Sequence, residues 1–320
     1  MRRFLSCDWG TSAFRLRVVE ADTLNVLAET TNAQGISASF DWWQRSGKGE
    51  EGRLSFYQSF ILAQIKKLEE QSRSSLEGMP LIISGMASSR IGMVELPYKI
   101  LPFHTDGHDL SVKLMDAASD FKHPLVLISG ARTGDDIMRG EETQLIGCEI
   151  ADRTGGQLFI FPGTHSKHVK VENGQATTIT TYMTGEFFEL LTRKSILASD
   201  VEEGSDPMDT ALLNSFEKGV LDSINQNILH SAFQVRSNHL LGKSGKKENY
   251  YYLSGFLVGT EMKELTKSGI PLTLVANEGL KIFYAAASRV LGIDITVQPA
   301  DAVIIKGHQK MYDQYARELA

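Results

Sequence analysis

A repeat constrains this chain more than any other feature. Residues 3–7, 13–20 and 25–31 read as three short strands in series, and the first turn between them is Asp8-Trp9-Gly10-Thr11-Ser12. Phe14, Leu16 and Val18 alternate with Arg15 and Arg17, the period of two expected of a strand with one buried face. The same pattern returns later. Residues 158–162 form a strand, Gly163-Thr164-His165-Ser166 a turn, and residues 167–172 alternate again. Asn173-Gly174 is a type I′ hairpin pair, and residues 176–182 are rich in β-branched side chains. A strand, a Gly-Thr turn, a strand, a tight turn and a third strand thus occur twice, which predicts two related domains.

The other segments predict an α/β class, with strands alternating with helices. A polar loop is expected over residues 42–54 and a helix over 56–71, where Phe56, Phe60, Ile61, Ile65 and Leu68 recur at helical spacing. Buried strands are expected at 81–84 and 125–129, followed by a helix over 137–151. Beyond the second repeat, helices are expected at 187–192, 211–229, 251–266, 279–291 and 311–319, with strands at 272–275, 295–298 and 303–305 and a solvated loop at 241–249. The length of 320 residues suits two domains of about 150 each. The expected division is 1–152 and 153–307, with the helix 308–320 completing the first domain.

Thirty-three Lys plus Arg against 39 Asp plus Glu give a net charge of −6, so nucleic acid is not an expected partner. The two cysteines, Cys7 and Cys148, build neither a disulfide framework nor a CxxC metal cage, and are expected in the core. No apolar run approaches the ~18 residues of a membrane span. Residues 1–7 are basic, but their apolar part is too short for a signal core. A cytoplasmic protein without a membrane partner is expected.

Several clusters carry chemistry. The Asp8-to-Ser12 turn offers Gly10, Thr11 and Ser12 to phosphate oxygens and Asp8 to a magnesium ion, although the same residues serve any hairpin turn. Gly163, Thr164, His165 and Ser166 repeat that chemistry at the equivalent place, and Lys167 either adds charge there or is an exposed strand residue. Asp136, Arg139, Gly140 and Thr143 are spaced to share one helical face, where Asp136 suits a general base. Asp135 or Asp136 also suits a helix N-cap, and Glu141 with Glu142 reads as a solvated face. Gly47-Lys48-Gly49-Glu50-Glu51-Gly52 matches GxGxxG, but no strand precedes it and its glutamates oppose an anion. No GxxxxGK[ST] motif occurs. Pro102 and Gly107 argue against a helix aligning His104 and His108 as metal ligands, and His165 and His168 lack an acidic partner nearby in sequence.

With these residues in place, the chain resembles the 2-dehydro-3-deoxygalactonokinase family of the sugar kinase, Hsp70 and actin superfamily. Residues Met138-Arg139-Gly140-Glu141-Glu142-Thr143-Gln144-Leu145-Ile146-Gly147 carry the resemblance most directly. Asp8 to Ser12, Gly85-Met86, Ser89-Arg90, Pro97-Tyr98, Pro162 to Lys167, Met183-Thr184-Gly185-Glu186 and Leu253-Ser254-Gly255 support it in order. The resemblance implies two ribonuclease-H-like domains with an interdomain cleft, ATP and Mg2+ as cofactors, and a small sugar acid as substrate. It implies phosphorylation of the terminal 6-hydroxyl of 2-dehydro-3-deoxy-D-galactonate in galactonate or galactose breakdown, and a homodimer is compatible with it. A kinase for a related sugar acid, a non-catalytic sugar-acid sensor on this fold and a phosphatase or ATPase of the superfamily are the alternatives. By carry-over, Asp8 to Ser12 and Gly163 to Lys167 meet phosphate, Gly185, Asn277 and Gly279 meet the nucleotide, and Ser89, Arg90, Arg139 and Glu141 meet the sugar acid. Two positions depart from the family pattern. Ala276-Asn277-Glu278-Gly279 holds a single glycine where a glycine-rich turn is usual, and Met93 stands where many relatives have tryptophan.

Overall fold

The computed structural model describes residues 2–47, 49–151, 156–204 and 209–318. Met1 of the basic start, Lys48 of the glycine loop, residues 152–155 at the expected domain boundary and Leu319 of the last expected helix lie outside the described residues. The chain packs as two units. Unit 1 comprises Met1–Asp152, Val171–Ile179 and Ala300–Ala320, and unit 2 comprises Arg153–Lys170 and Thr180–Pro299.

Unit 1 opens with β1 (Arg3–Trp9), β2 (Phe14–Glu20) and β3 (Val26–Asn32), followed by α1 (Ile36–Arg45), α2 (Arg53–Ser72) and β4 (Leu81–Gly85). Short strands β5 (Lys99–Ile100), β6 (Phe103–His104) and β7 (Val112–Met115) precede β8 (Leu125–Ile128), β9 (Ala131–Arg132), β10 (Ile137–Met138) and α3 (Glu141–Gly147). The main sheet has the order β3-β2-β1-β4-β8-β7, with β4 and β8 parallel to the central β1. Period two sends Leu5 and Cys7 of β1, Leu81 and Ile83 of β4 and Leu125 and Leu127 of β8 into one core with Tyr57, Ile61, Ile65 and Leu68 of α2. Met93 joins that core.

Unit 2 begins with β11 (Gln157–Phe161), β12 (Ser166–Glu172) and β13 (Gln175–Tyr182). The hairpin pair Asn173 and Gly174 has φ of 51° and 72°, as a type I′ turn requires. Residues 171–179 count with unit 1, where Gln175 and Ala176 pair with His104 and Phe103. Next come α4 (Thr184–Arg193), α5 (Thr210–Asn225), α6 (Ile228–Leu240), α7 (Lys246–Met262), β14 (Leu272–Ala276), α8 (Glu278–Leu291) and β15 (Ile295–Pro299). The order β15-β14-β11-β12-β13, with β14 and β15 parallel to β11, reproduces β8-β4-β1-β2-β3 of unit 1. The repeat in the sequence is therefore a repeat of topology.

The last helix, α9 (Ala300–Tyr315), closes the other face of the unit 1 sheet. Its His308 is fully buried, with Nδ1 2.7 Å from the Ser6 hydroxyl and Nε2 2.9 Å from the Ser84 hydroxyl. Burial, with the charge of Arg17 adding, pushes this imidazole down to about 3, so it stays neutral. Gly147 and Gly307 let α3 and α9 cross closely. A Cβ on Gly147 would lie 1.8 Å from the Val303 carbonyl oxygen, and one on Gly307 would lie 2.1 Å from that of Thr143.

Five expectations are corrected. Residues 303–305 lie inside α9, since Val303, Ile304, Gly307, His308 and Met311 form a buried helical stripe. Arg17, expected on an exposed face, is 3% exposed because α9 covers it, and it pairs with Glu29 and with Asp301 at 2.7 Å. The helix expected over 211–229 breaks at Gln226, which is extended, and Asn227, whose side chain caps α6. The loop expected over 241–249 is cut short by α7, which starts at Lys246. The loop expected over 42–54 begins only after α1, which ends at Arg45. Among the described residues no helix is long and apolar enough to cross a membrane.

Candidate active site

In unit 1 the site builds on the carboxyl ends of the parallel strands β1 and β4, where open α/β sheets bind ligands. Asp8 lies one residue before the end of β1, with its carboxylate 3.9 Å from Arg15. Burial raises its pKa, against the lowering pull of Arg15 and Arg17. The Gly10 N–H donates to the Ala13 carbonyl at 2.9 Å and closes the turn. Carbonyls of Gly10 and Thr11 accept from Ile36 and Ser37 at the start of α1, while Thr11 and Ser12 are exposed.

Two glycines bring the second element to this place. Gly85 ends β4 with φ 85°, and a Cβ there would lie 2.7 Å from the Trp9 carbonyl oxygen. Gly140 has φ 109°, and its Cβ would face the Gly85 Cα at 3.3 Å. That backbone corrects the expected helix over 137–151. A residue with φ 109° cannot be helical, so the helix starts at Glu141 and residues 137–138 form β10. Asp136, Arg139, Gly140 and Thr143 therefore do not share a helical face, and neither Asp135 nor Asp136 is the N-cap. Gly140 occupies the cap and offers no side chain. Two glutamates take over. Glu141 accepts from the Arg139 N–H at 3.0 Å, and Glu142 from the Gly140 N–H at 2.7 Å.

Asp136 sits in the loop between β9 and β10, half-buried, with its Oδ1 accepting from the Ile137 N–H at 2.8 Å. The Thr133 hydroxyl accepts from the N–H groups of Asp135 and Asp136 and shapes that loop. Arg139 donates from Nη1 to the Ser88 carbonyl at 2.7 Å and hydroxyl at 2.6 Å, and lies 4.2 Å from the centre of the Tyr98 ring. Its Nε is buried without a hydrogen-bond partner. Ser89 turns its hydroxyl back to the Met86 carbonyl at 2.7 Å, so Ser88 is the serine that meets Arg139. Arg90 has an exposed side chain, and its carbonyl accepts from Arg53.

Glu142, read as part of a solvated pair, is fully buried. Burial, with the charge of Glu141 adding, pushes its carboxyl from 4.5 up to about 8. Between those values the folded chain keeps a proton that the unfolded chain has released. This contribution to stability is complete below about 4.5 and is lost as pH rises through about 8. Glu142→Gln keeps an acceptor for Gly140 and removes the titration. Its melting temperature is expected to fall less than that of the parent between pH 5 and pH 8.5 in thermal denaturation scans; parallel curves would refute the assignment.

In unit 2 the corresponding turn follows β11. Gly163, Thr164 and His165 are exposed, whereas Ser166 and Lys167 are buried at the start of β12. The Glu186 N–H donates to the Thr164 carbonyl at 2.9 Å and docks the first turn of α4 on it. Only glycine fits at 185, because a Cβ would lie 2.4 Å from the Gly163 carbonyl oxygen. His165 pairs through Nε2 with Glu186, and His168 with Glu261 at 3.0 Å, so both have the acidic partners that the local sequence did not reveal. Lys167 is 7% exposed and donates to the Thr181 hydroxyl at 2.9 Å, so it is not an exposed strand residue.

Gly163 and Gly185 line a cavity of about 470 Å³ with Asn277 and Gly279, within the usual size of a small-molecule site. Tyr251, Val258, Leu280, Phe283 and Tyr284 make its apolar wall. Asn277 caps α8 by accepting from the Leu280 N–H at 3.0 Å, and a Cβ on Gly279 would meet only Asn277 Oδ1 at 3.6 Å. The single-glycine turn is thus a capped helix start without crowding.

Two other clusters lie apart from these residues. His104, His108 and Asp109 each place a ligand atom within 4.8 Å of the others, joined by a turn at Gly107 with φ 85° instead of a helix. Lys99 already supplies the positive charge there, 2.9 Å from Asp109. A polar cavity of about 630 Å³ borders α5, α6 and α7, but its Lys218, Asp222 and Tyr252 are paired with one another. The sequence reading missed Glu142, Ser88, Glu186 and Glu261; of these, only Glu142 and Glu186 fell inside quoted motifs.

The chain is similar to several known proteins. A family described as 2-keto-3-deoxy-galactonokinase matches residues 8–311. A probable 2-dehydro-3-deoxygalactonokinase of Rhizobium meliloti (strain 1021) is 30% identical over 314 residues, covering 95% of this chain and 94% of its own. The 2-dehydro-3-deoxygalactonokinase of Escherichia coli (strain K12) is 27% identical, covering 95% and 96%. The crystal structure of a candidate 2-dehydro-3-deoxygalactonokinase from Sinorhizobium meliloti superposes with a TM-score of 0.79 at 26% identity, over 97% of this chain and 96% of that one. An activator of 2-hydroxyisocaproyl-CoA dehydratase from Clostridium difficile, at 14% identity and a TM-score of 0.53 over 99% and 96% of the two chains, shares the fold.

Proposed function

Because this chain belongs to the 2-keto-3-deoxy-galactonokinase family, we propose that it transfers the γ-phosphoryl group of ATP to the terminal 6-hydroxyl of 2-dehydro-3-deoxy-D-galactonate. The observation that carries this reading is the family match across both units, joined to a cavity in unit 2 walled by the Gly163 turn, Gly185 and the start of α8.

In this reading the cavity takes the nucleoside, and the Gly163 turn and the Asp8-to-Ser12 turn take phosphate oxygens through backbone N–H groups and hydroxyls. Asp8 fits magnesium chemically. A half-buried carboxylate is the kind of single protein ligand that Mg2+ accepts alongside phosphate oxygens, and the ion would neutralise phosphate charge. Arg139 suits the sugar-acid carboxylate. Ser88 and the Tyr98 ring hold its guanidinium, and its buried Nε is a donor awaiting an oxygen. Asp136 accepts the proton of the attacking hydroxyl, and Glu141 and Glu142 hold the Arg139–Gly140 backbone in place. Catalysis is then largely positioning and charge neutralisation.

A coupled ADP-release assay over aldonates and 2-keto-3-deoxy acids tests this function. ADP is expected to appear only with a 2-keto-3-deoxy acid present, and the product to carry phosphate at the terminal carbon. Release without any acid points to an ATPase or phosphatase, and silence with every acid overturns the kinase reading in favour of a sensor.

A further inference from the structure

Glu261, near the end of α7, is 2% exposed and belongs to no motif in the sequence reading. A buried carboxylate is costly unless its lone pairs are filled. Here they are filled from three other elements. On Oε1 it accepts from the Ser166 hydroxyl at 2.6 Å and meets His168 Nε2 at 3.0 Å, both on β12. On Oε2 it accepts from the Thr184 hydroxyl, on α4, and from the Tyr284 hydroxyl on α8 at 2.8 Å. Burial and the Glu261 charge together push the Tyr284 phenol well up, so it stays a donor.

These partners share a location. Thr184 and Tyr284 line the 470 Å³ cavity, and Ser166 directly follows the exposed turn Gly163 to His165. Thr184 immediately precedes Gly185, whose backbone packs against the Gly163 carbonyl. One carboxylate thus fixes the root of the turn, the first residue of α4 and one wall of the cavity. An apolar residue could fill the same volume, but it would leave three hydroxyls and an imidazole without a common acceptor.

We propose that Glu261 is a positioning residue for nucleotide binding, holding Ser166, Thr184 and Tyr284 in the single arrangement that presents the Gly163 turn and the cavity wall to ATP. The proposal rests on the reading of that cavity as the nucleotide site. Glu261→Gln is nearly isosteric, and Thr184→Val and Tyr284→Phe each remove one donor and keep most of the packing.

Steady-state kinetics and calorimetric ADP binding on the three variants provide the test, with melting temperatures recorded alongside. Glu261→Gln is expected to raise KM for ATP about tenfold and to weaken ADP to match, with KM for the sugar acid changed less than about twofold. Thr184→Val and Tyr284→Phe should move in the same direction by less, so a poorly folding Glu261→Gln still leaves the test decisive. A lowered melting temperature with unchanged ATP and ADP constants in the variants that fold overturns the proposal and leaves Glu261 a structural residue. Gly185→Ala separates the two failures. If it leaves ADP binding intact, the cavity is not the nucleotide site and both readings fall. If it abolishes binding while the other three variants bind normally, only the role of Glu261 falls.

Discussion

Replacing Asp136 with asparagine is expected to lower kcat by ~10²–10⁴-fold, the usual contribution of a positioned acid or base. KM for ATP should change by less than about threefold, because Asp136 is not among the residues that line the cavity proposed for the nucleotide and asparagine keeps its size. The substitution is conservative for the fold. Asparagine keeps an oxygen for the Ile137 N–H that Asp136 Oδ1 accepts at 2.8 Å, and the Thr133 hydroxyl still holds the loop. What is lost is the capacity to take a proton. Steady-state kinetics at saturating ATP read the effect directly, and turnover like the parent's would pass the role to Asp135, its exposed neighbour in the same loop.

The second large effect is expected at Gly185. A Cβ there would lie 2.4 Å from the Gly163 carbonyl oxygen and 2.9 Å from the Thr164 Cα, both backbone atoms that cannot step aside alone. Gly185→Ala must push α4 away from the turn. Overpacking of this kind costs about 1–3 kcal/mol, and a displaced turn should weaken ATP binding at least tenfold. Gly163→Ala provides the contrast, since nothing lies within 4 Å of its Cβ position. It should melt within a few degrees of the parent, and equal melting and binding for the two variants would contradict the docking of α4 on the turn. Calorimetric nucleotide binding with thermal denaturation distinguishes them.

The strands of both repeats were readable because alternation and β-branched content are local properties, and each repeat's turn carries its own Gly, Thr and Ser. The expected helix over 137–151 failed at one residue. The pattern around Leu145, Ile146 and Ile150 is helical, but φ at Gly140 is set by its approach to Gly85, far away in sequence. Val303 to Ile305 misled for a related reason. Three β-branched residues suggest a strand, whereas the helical stripe emerges only with Gly307, His308 and Met311 included. Candidate site residues could be named from their types, but their contacts could not be read. Arg139 was singled out as a candidate, but its partner Ser88 was not. Glu142 looked solvated because an acidic pair usually is, and only tertiary packing buries it. Glu261 left no local trace, since its four partners come from three elements of the chain.

The sheet face that His308 staples has a consequence in time. Ser6 and Ser84 meet His308 across 302 and 224 residues, so a ribosome makes all of unit 2 before α9 emerges. At about 5–20 residues per second, the roughly 150 residues between α3 and α9 take about 8–30 seconds, during which β1 and β4 wait with one face uncovered. Unit 2 can close while that wait lasts. β1 and β4 are thus sealed long after they are made, and the nascent chain carries an open sheet face until all of unit 2 has been synthesised.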